Sequence, residues 1–100
     1  MEKIRVAFVK FAPKARKLYL FEMPIECYLE EGETVIVPTA DGDETEAVVV
    51  DTEKYEQRYS HEWDEFNRLL GVAGVELPLK KVIGKVSRRY FDYTEENEDD

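Results

Sequence analysis

The chain has 100 residues, of which 43% are apolar and 37% charged, and its formal net charge is −9 at pH 7. This length and composition fit one compact domain and exclude a large multidomain enzyme. No apolar stretch approaches the roughly 18 residues that a membrane span requires, and no secretion signal is recognisable after Met1. The single Cys27 cannot close an internal disulfide. We therefore expect a cytoplasmic protein whose apolar core alone supplies its stability.

The first half of the chain predicts four strands in two hairpins. In residues 3–11 the apolar side chains of Ile4, Val6 and Phe8 recur with a period of two, which is typical of a strand. Residues 17–22 form a second β-prone run. A third run begins at residues 35–37 and a fourth covers 46–51. Between them lies Asp41-Gly42, the strongest turn signal in the chain. We therefore expect both pairs of neighbouring runs to be antiparallel hairpins.

After Asp51 the spacing of the large apolar side chains changes to that of a helix. Five of them fall within about an 80° arc of one helix: Tyr55, Tyr59, Trp63, Phe66 and Leu70. We predict one helix over residues 52–70, capped by Asp51 or Thr52 and ended by Gly71. Ser60, itself a good N-cap, is the position at which a break in this helix is expected, if there is one.

A last strand over residues 80–86 completes the order ββββαβ. This order predicts a mainly β, α+β fold: a small, partly open antiparallel β-barrel or bent sheet, with one aromatic-faced helix covering an open side. The alternative is a flatter α+β sandwich with the helix across one face. We assign residues 1–93 to a single globular domain and the polar, acidic residues 94–100 to a disordered tail.

Charge is segregated into four blocks along the chain. The formal charge is +5 over residues 1–20, −13 over 21–66, +5 over 67–91 and −6 over 92–100. If the first and last strands lie together, the two basic blocks merge into one patch. Its members would be Lys10, Lys14, Arg16, Lys17, Lys80, Lys81, Lys85, Arg88 and Arg89. The alternative is that these bases lie on solvated strand faces and keep the protein soluble.

The sequence contains no recognisable catalytic, cofactor-binding or metal-binding motif. It has no phosphate-binding glycine-rich loop, no His-Glu-x-x-His, no Gly-x-Ser-x-Gly and no cysteine pair at metal spacing. His61 falls opposite the aromatic stripe, so we expect it to be exposed, and Cys27 has no activating neighbour, so we expect a small buried side chain. The carboxylates of residues 41–46 lack calcium-loop spacing and indicate a turn. We therefore predict a protein that is not an enzyme and uses no cofactor.

Three strings of the sequence resemble the amino-terminal DNA-binding domain of the primosomal helicase. They lie at residues 17–22, 29–38 and 47–50. In that family an aromatic strand leads into Leu-x-x-Gly-x-x-Val-x-Val-Pro, and a valine-rich strand follows. The chain also resembles short phage and mobile-element proteins of Gram-positive bacteria, most of unknown function, which close with a strand like residues 82–86. The resemblance implies a small, SH3-like β-barrel and, since no ligand contact of the family can be aligned here, no binding residue.

Charge segregation without catalytic residues favours binding over chemistry. We predict a non-enzymatic interaction module that binds a protein partner and no membrane. The alternative is a single-stranded nucleic-acid-binding accessory protein, in which an aromatic such as Tyr19, Phe21 or Tyr90 stacks on a base beside the basic patch. A third hypothesis is that the acidic block over 21–66 mimics nucleic acid. We also predict that the acidic tail folds back over the basic patch and competes with polyanions.

Overall fold

The computed structural model describes residues 2–24 and 27–86. These residues form β1 (Lys3–Lys10), β2 (Tyr19–Glu22), β3 (Thr34–Pro38), β4 (Glu44–Glu56), α1 (Ser60–Ala73) and β5 (Gly84–Lys85). The strands form one sheet in the order β2-β1-β4-β3-β5, and every neighbouring pair is antiparallel. The predicted α+β fold and both predicted hairpins are confirmed. The sheet is not closed into a barrel.

β4 is longer, and the helix shorter, than the spacing of the aromatic residues predicts. Residues 52–56 continue β4 and pair with β1, from Ala7 opposite Thr52 to Lys3 opposite Glu56. The prediction of a helix over residues 52–70 is therefore wrong in its first eight positions. Since the whole of β1 pairs with β4, the hydrogen bonds of the sheet outweigh the local helical spacing.

Both ends of α1 also differ from the prediction. The N-cap is Tyr59, not Asp51 or Thr52, and its side chain makes no cap hydrogen bond. The helix ends at Gly74, whose φ of 72° is left-handed and whose N–H donates to the Leu70 carbonyl oxygen at 2.9 Å. Gly71 lies inside the helix because its own φ does not leave the helical range, so the left-handed ending falls one turn later.

A β-bulge lies in the middle of β4. Phe8 pairs with Asp51 but Val9 pairs with Val49, which leaves Val50 as an extra residue on β4. A bulge bends its strand and increases the local twist. The first half of β4 can therefore pair with β3 while the second half follows β1.

Apolar side chains pack on both faces of β1. Ala7 and Val9 belong to one core cluster with side chains of β3 and β4, and half-buried Cys27 packs against it. Val6, on the other face, belongs to a second cluster with Phe66 of α1. The helix thus lies across one face of the sheet. His61 is exposed, as predicted.

The last strand is shorter than predicted, and the residues before it contact the opposite edge of the sheet. Lys81 forms an isolated parallel bridge with Glu22 at the end of β2. The Glu22 N–H donates to the Lys80 carbonyl oxygen at 2.8 Å, and the Val82 N–H donates to the Glu22 carbonyl oxygen at 3.0 Å. β5 itself pairs with β3. Residues 80–82 therefore bond to the end of β2, whereas Gly84 and Lys85 pair with β3.

Arg88, Arg89, Tyr90 and the predicted tail over 94–100 lie outside the described residues. Within the part of the chain that the structure describes, no helix is long and apolar enough to cross a membrane.

Candidate functional site

A cleft of about 730 Å³ opens between β2 and the segment that follows α1. Its walls come from three stretches of chain, residues 17–21, 38–40 and 73–80 except Leu77, together with Phe11 and Thr45. Ligand-binding clefts in proteins commonly have volumes of about 300–1,000 Å³. The cleft is therefore large enough to hold several side chains of a bound partner.

Large apolar side chains line the cleft and reach solvent there. Phe11, Leu18 and Tyr19 are each between 38% and 40% exposed, whereas Leu20 and Leu79 are buried. The rings of Phe11 and Tyr19 lie edge to face with their centroids 4.8 Å apart. Exposed apolar side chains that gather in one concave place are typical of a binding surface.

Two lysines supply positive charge to the cleft. Lys17 holds its ammonium nitrogen 4.9 Å from the centre of the Tyr19 ring. Lys80 comes from the opposite wall, and its ammonium nitrogen lies 3.5 Å from the Thr39 carbonyl oxygen. Glu76 is the acidic residue among the lining side chains. The cleft can therefore attract an anionic group to an apolar surface within an acidic protein.

The structure unites two members of the predicted basic patch and separates others. Lys17 of the first basic block and Lys80 of the second line the same cleft. The condition for one merged patch, adjacent first and last strands, is not met, because β4 and β3 lie between β1 and β5. The two blocks meet instead through β2 and the residues before β5.

The other bases of the patch that the structure describes, Lys10, Lys14, Arg16, Lys81 and Lys85, do not line the cleft. Lys85 pairs with Glu33 at 3.3 Å and donates to the Tyr28 carbonyl oxygen at 2.9 Å. Lys10 donates to the Pro13 carbonyl oxygen at 2.9 Å. Lys14, Arg16 and Lys81 are exposed.

A second polar cluster joins β4 to α1. Glu56 is only 7% exposed, accepts a hydrogen bond from Nε of Arg58 at 2.8 Å, and lies 3.4 Å from Nζ of Lys54. Burial raises the pKa of Glu56, but the hydrogen bonds and charges of Arg58 and Lys54 outweigh it, so the net pKa is lowered. Glu62 of the first helical turn accepts a hydrogen bond from the Glu56 N–H at 3.0 Å. The hydrogen bond between Glu56 and Glu62 links the first turn of the helix to the end of β4.

The titratable side chains that line the cleft are Lys17, Tyr19, Glu76 and Lys80. Among the described residues, no three His, Cys, Asp or Glu side chains are grouped so that they could hold a metal ion. Leu18 and Leu79 could not be recognised as cleft residues from the sequence, because an apolar residue near a strand end has no feature that distinguishes a cleft wall from a core position.

Comparisons with protein-family models, with curated proteins and with solved structures gave no match to this chain. The resemblance to the primosomal helicase domain and to the mobile-element proteins therefore stays a prediction. A function for this chain can therefore be inferred only from the geometry of its cleft.

Proposed function

We propose that this protein is a non-enzymatic, cytoplasmic interaction module that binds a protein partner in the cleft beside β2. The exposed Phe11, Leu18 and Tyr19 at the mouth of one concave site carry this proposal. Full burial of such a side chain stabilises by about 1.5–3 kcal/mol, so completing the burial of a partly covered one contributes about 1 kcal/mol. Three such side chains together give a partner a substantial apolar contact.

The distribution of charge favours a protein partner over a nucleic acid. Nucleic-acid binding draws its affinity from several phosphate contacts. The lining of the cleft offers Lys17 and Lys80, whereas Lys85 is neutralised by Glu33. Two lysines beside apolar side chains suit a protein segment that carries both apolar and acidic residues.

Site-specific photo-crosslinking in the native host tests this proposal. A photoreactive phenylalanine analogue is placed at Tyr19 in the cleft, or at Tyr28, which is 75% exposed and does not line the cleft. We expect a protein adduct from position 19 and not from position 28. The adduct should be lost when Lys17→Glu and Lys80→Glu are combined.

The matched control combines Lys3→Glu with Arg68→Glu. Both residues are exposed, neither lines the cleft, and the pair changes the net charge by the same amount. This control should keep the adduct. A nuclease-sensitive adduct at position 19 would support the nucleic-acid alternative, and the absence of any adduct specific to position 19, with Leu18 as a second labelling site, would overturn the proposal.

A further inference from the structure

The outer edge of β2 faces the cleft. β2 is the last strand at one side of the sheet. Its Glu22 bonds through both N–H and C=O to residues 80–82, away from β1, whereas the next N–H, of Met23, donates to the Arg5 carbonyl oxygen at 2.8 Å on β1. Backbone groups alternate in direction along a strand. Those of Leu20 therefore point away from β1, as those of Glu22 do. Leu18 directly precedes β2, and an extension of β2 by one residue on binding would turn its backbone groups the same way.

The cleft is a slot between β2 and the segment before β5. The bridge between Glu22 and Lys81 is parallel, and it closes the slot at one end. The backbone hydrogen bonds between the two segments are those of Glu22, and beyond them Leu18 and Leu20 line the cleft from the side of β2 and Pro78 and Leu79 from the side of the segment before β5. Residues 17–21 of the β2 wall extend over about 16 Å at about 3.3 Å per residue. This length accommodates four or five residues of a second extended chain.

We propose that the cleft binds a short extended peptide segment of another protein, which adds to the outer edge of β2 as a further strand. Its backbone would pair with Leu18 and Leu20, its large apolar side chains would pack in the cleft, and its acidic side chains would meet Lys17 and Lys80. This inference rests on the proposed function and specifies the chemistry of the partner. Backbone hydrogen bonds supply affinity in strand addition, and the pockets for alternate side chains supply specificity.

Charge complementarity selects an acidic segment. Lys17 and Lys80 stand on opposite walls of the slot, and the exposed Lys14 and Arg16 belong to the loop that leads into β2. Glu76 is the acidic side chain that opposes them among the lining residues. A segment in which acidic residues alternate with large apolar ones presents both complementary surfaces at once, because alternate side chains of a strand point to opposite faces.

The first experiment selects peptides from a random seven-residue phage library on the full chain. We expect enrichment of sequences that alternate acidic with large apolar residues. A fluorescent copy of an enriched peptide should bind about tenfold more weakly to the combined Lys17→Glu and Lys80→Glu variant. The combined Lys3→Glu and Arg68→Glu variant should bind it as the original protein does.

The second experiment measures amide hydrogen exchange by NMR with the same peptide. The amides of Leu18 and Leu20 should slow by about tenfold or more when the peptide is bound. The amides of Tyr19 and Phe21, which already face β1, serve as internal controls and should change little. Methylation of the peptide nitrogens whose N–H groups face β2 should weaken binding, whereas methylation of the nitrogens between them should not, because alternate N–H groups of a strand point in opposite directions.

The outcomes separate this inference from the proposed function. A bound peptide that leaves the Leu20 amide unprotected overturns strand addition, and indifference to the lysine variants overturns the acidic chemistry. If no peptide is enriched while position 19 still crosslinks to a protein, the inference is wrong and the proposed function stands. The Leu20 amide could also be protected in the absence of peptide. Loss of that protection on deletion of residues 87–100 would show that the chain itself occupies the slot, and loss on dilution would show that a second copy does. Either result would overturn the inference.

Discussion

The contact between Tyr55 on β4 and Phe66 on α1 distinguishes the observed structure from the alternative of one continuous helix over residues 52–70. The two rings are stacked with their centroids 5.1 Å apart and an interplanar angle of 29°, and Phe66 is fully buried. On a continuous helix the rise between these positions would be about 16 Å, at about 1.5 Å per residue, and the rings could not touch. An energetic coupling between them is therefore a property of the strand followed by the helix.

A double-mutant cycle of Tyr55→Leu and Phe66→Leu measures this coupling. A stacked aromatic pair contributes about 0.5–1.5 kcal/mol beyond the area it buries, so we expect a coupling of about 1 kcal/mol. Phe66→Leu alone removes ring atoms from a fully buried site and should lower the free energy of unfolding by about 1–2 kcal/mol. A domain with a stability of about 5–15 kcal/mol tolerates these losses.

Urea unfolding followed by the fluorescence of Trp63, the single tryptophan of the chain, gives the free energies. Its ring lies 5.1 Å from that of Phe66, so the signal reports on this cluster. With a slope of about 1–3 kcal/mol per molar urea, a loss of 1.5 kcal/mol shifts the midpoint by about 0.5–1.5 M. Val72→Ala, at an 83% exposed position of the same helix, is the control and should change stability by less than about 0.5 kcal/mol. A coupling below about 0.3 kcal/mol would refute the contact and with it the end of β4 at Glu56.

Three further predictions concern the helix end, the buried carboxylate and the acidic tail. Gly71→Ala should stabilise the protein by about 0.5–1 kcal/mol, since a helix interior favours alanine. Gly74→Ala should destabilise it by about 1 kcal/mol, since the φ of 72° at this position strains an L residue. Thermal unfolding would contradict this prediction if both variants shifted the melting temperature in the same direction. Because the pKa of Glu56 is lowered in the folded protein, its ionised form stabilises the fold above its ordinary value of 4.5, and this contribution is lost as the pH falls through the folded value. Urea unfolding of Glu56→Gln should therefore show a deficit at neutral pH that shrinks on acidification, and a deficit independent of pH would speak against the ion pairs. Deleting residues 94–100 should strengthen binding of a fluorescent polyanion more than neutralising five acids within 21–66 does; equal effects would leave the tail without a competing role.

The strands and turns that could be predicted from the sequence are those with local signals. The β3–β4 turn follows from Asp41-Gly42, and Gly42 adopts the positive φ of 91° that such a turn requires. Residues 52–56 carry no comparable signal, because they become a strand through pairing with β1 near the start of the chain. Tyr55 and Phe66 have helical spacing in the sequence, but one lies on a strand and the other on a helix, and both pack in the same cluster. The periodicity of apolar residues cannot distinguish a strand and a helix that pack together from one face of a single helix.

The cleft could be anticipated only in part. Lys17 and Lys80 were among the bases singled out by charge segregation, but so was Lys85, which resembles them in sequence. What separates Lys85 from the others is Glu33, its partner from 52 positions earlier in the chain. Contacts between distant segments decide which of the bases remain available, and one sequence does not encode them in any local pattern.

The central position of β4 has a consequence for how the chain folds. Its first half closes a short hairpin with β3, in which Pro38 lies opposite Glu44. Its second half must find β1, where Lys3 lies opposite Glu56, and closing so long a loop costs more chain entropy than forming the hairpin. We expect the β3–β4 hairpin to form early and the β1 pairing to limit the folding rate. Before β1 pairs with residues 52–56, the spacing of the apolar residues from Tyr55 onward favours a helix there, and we expect a transient helix to compete with the native strand. Substitutions that favour a helix at these positions should therefore slow folding.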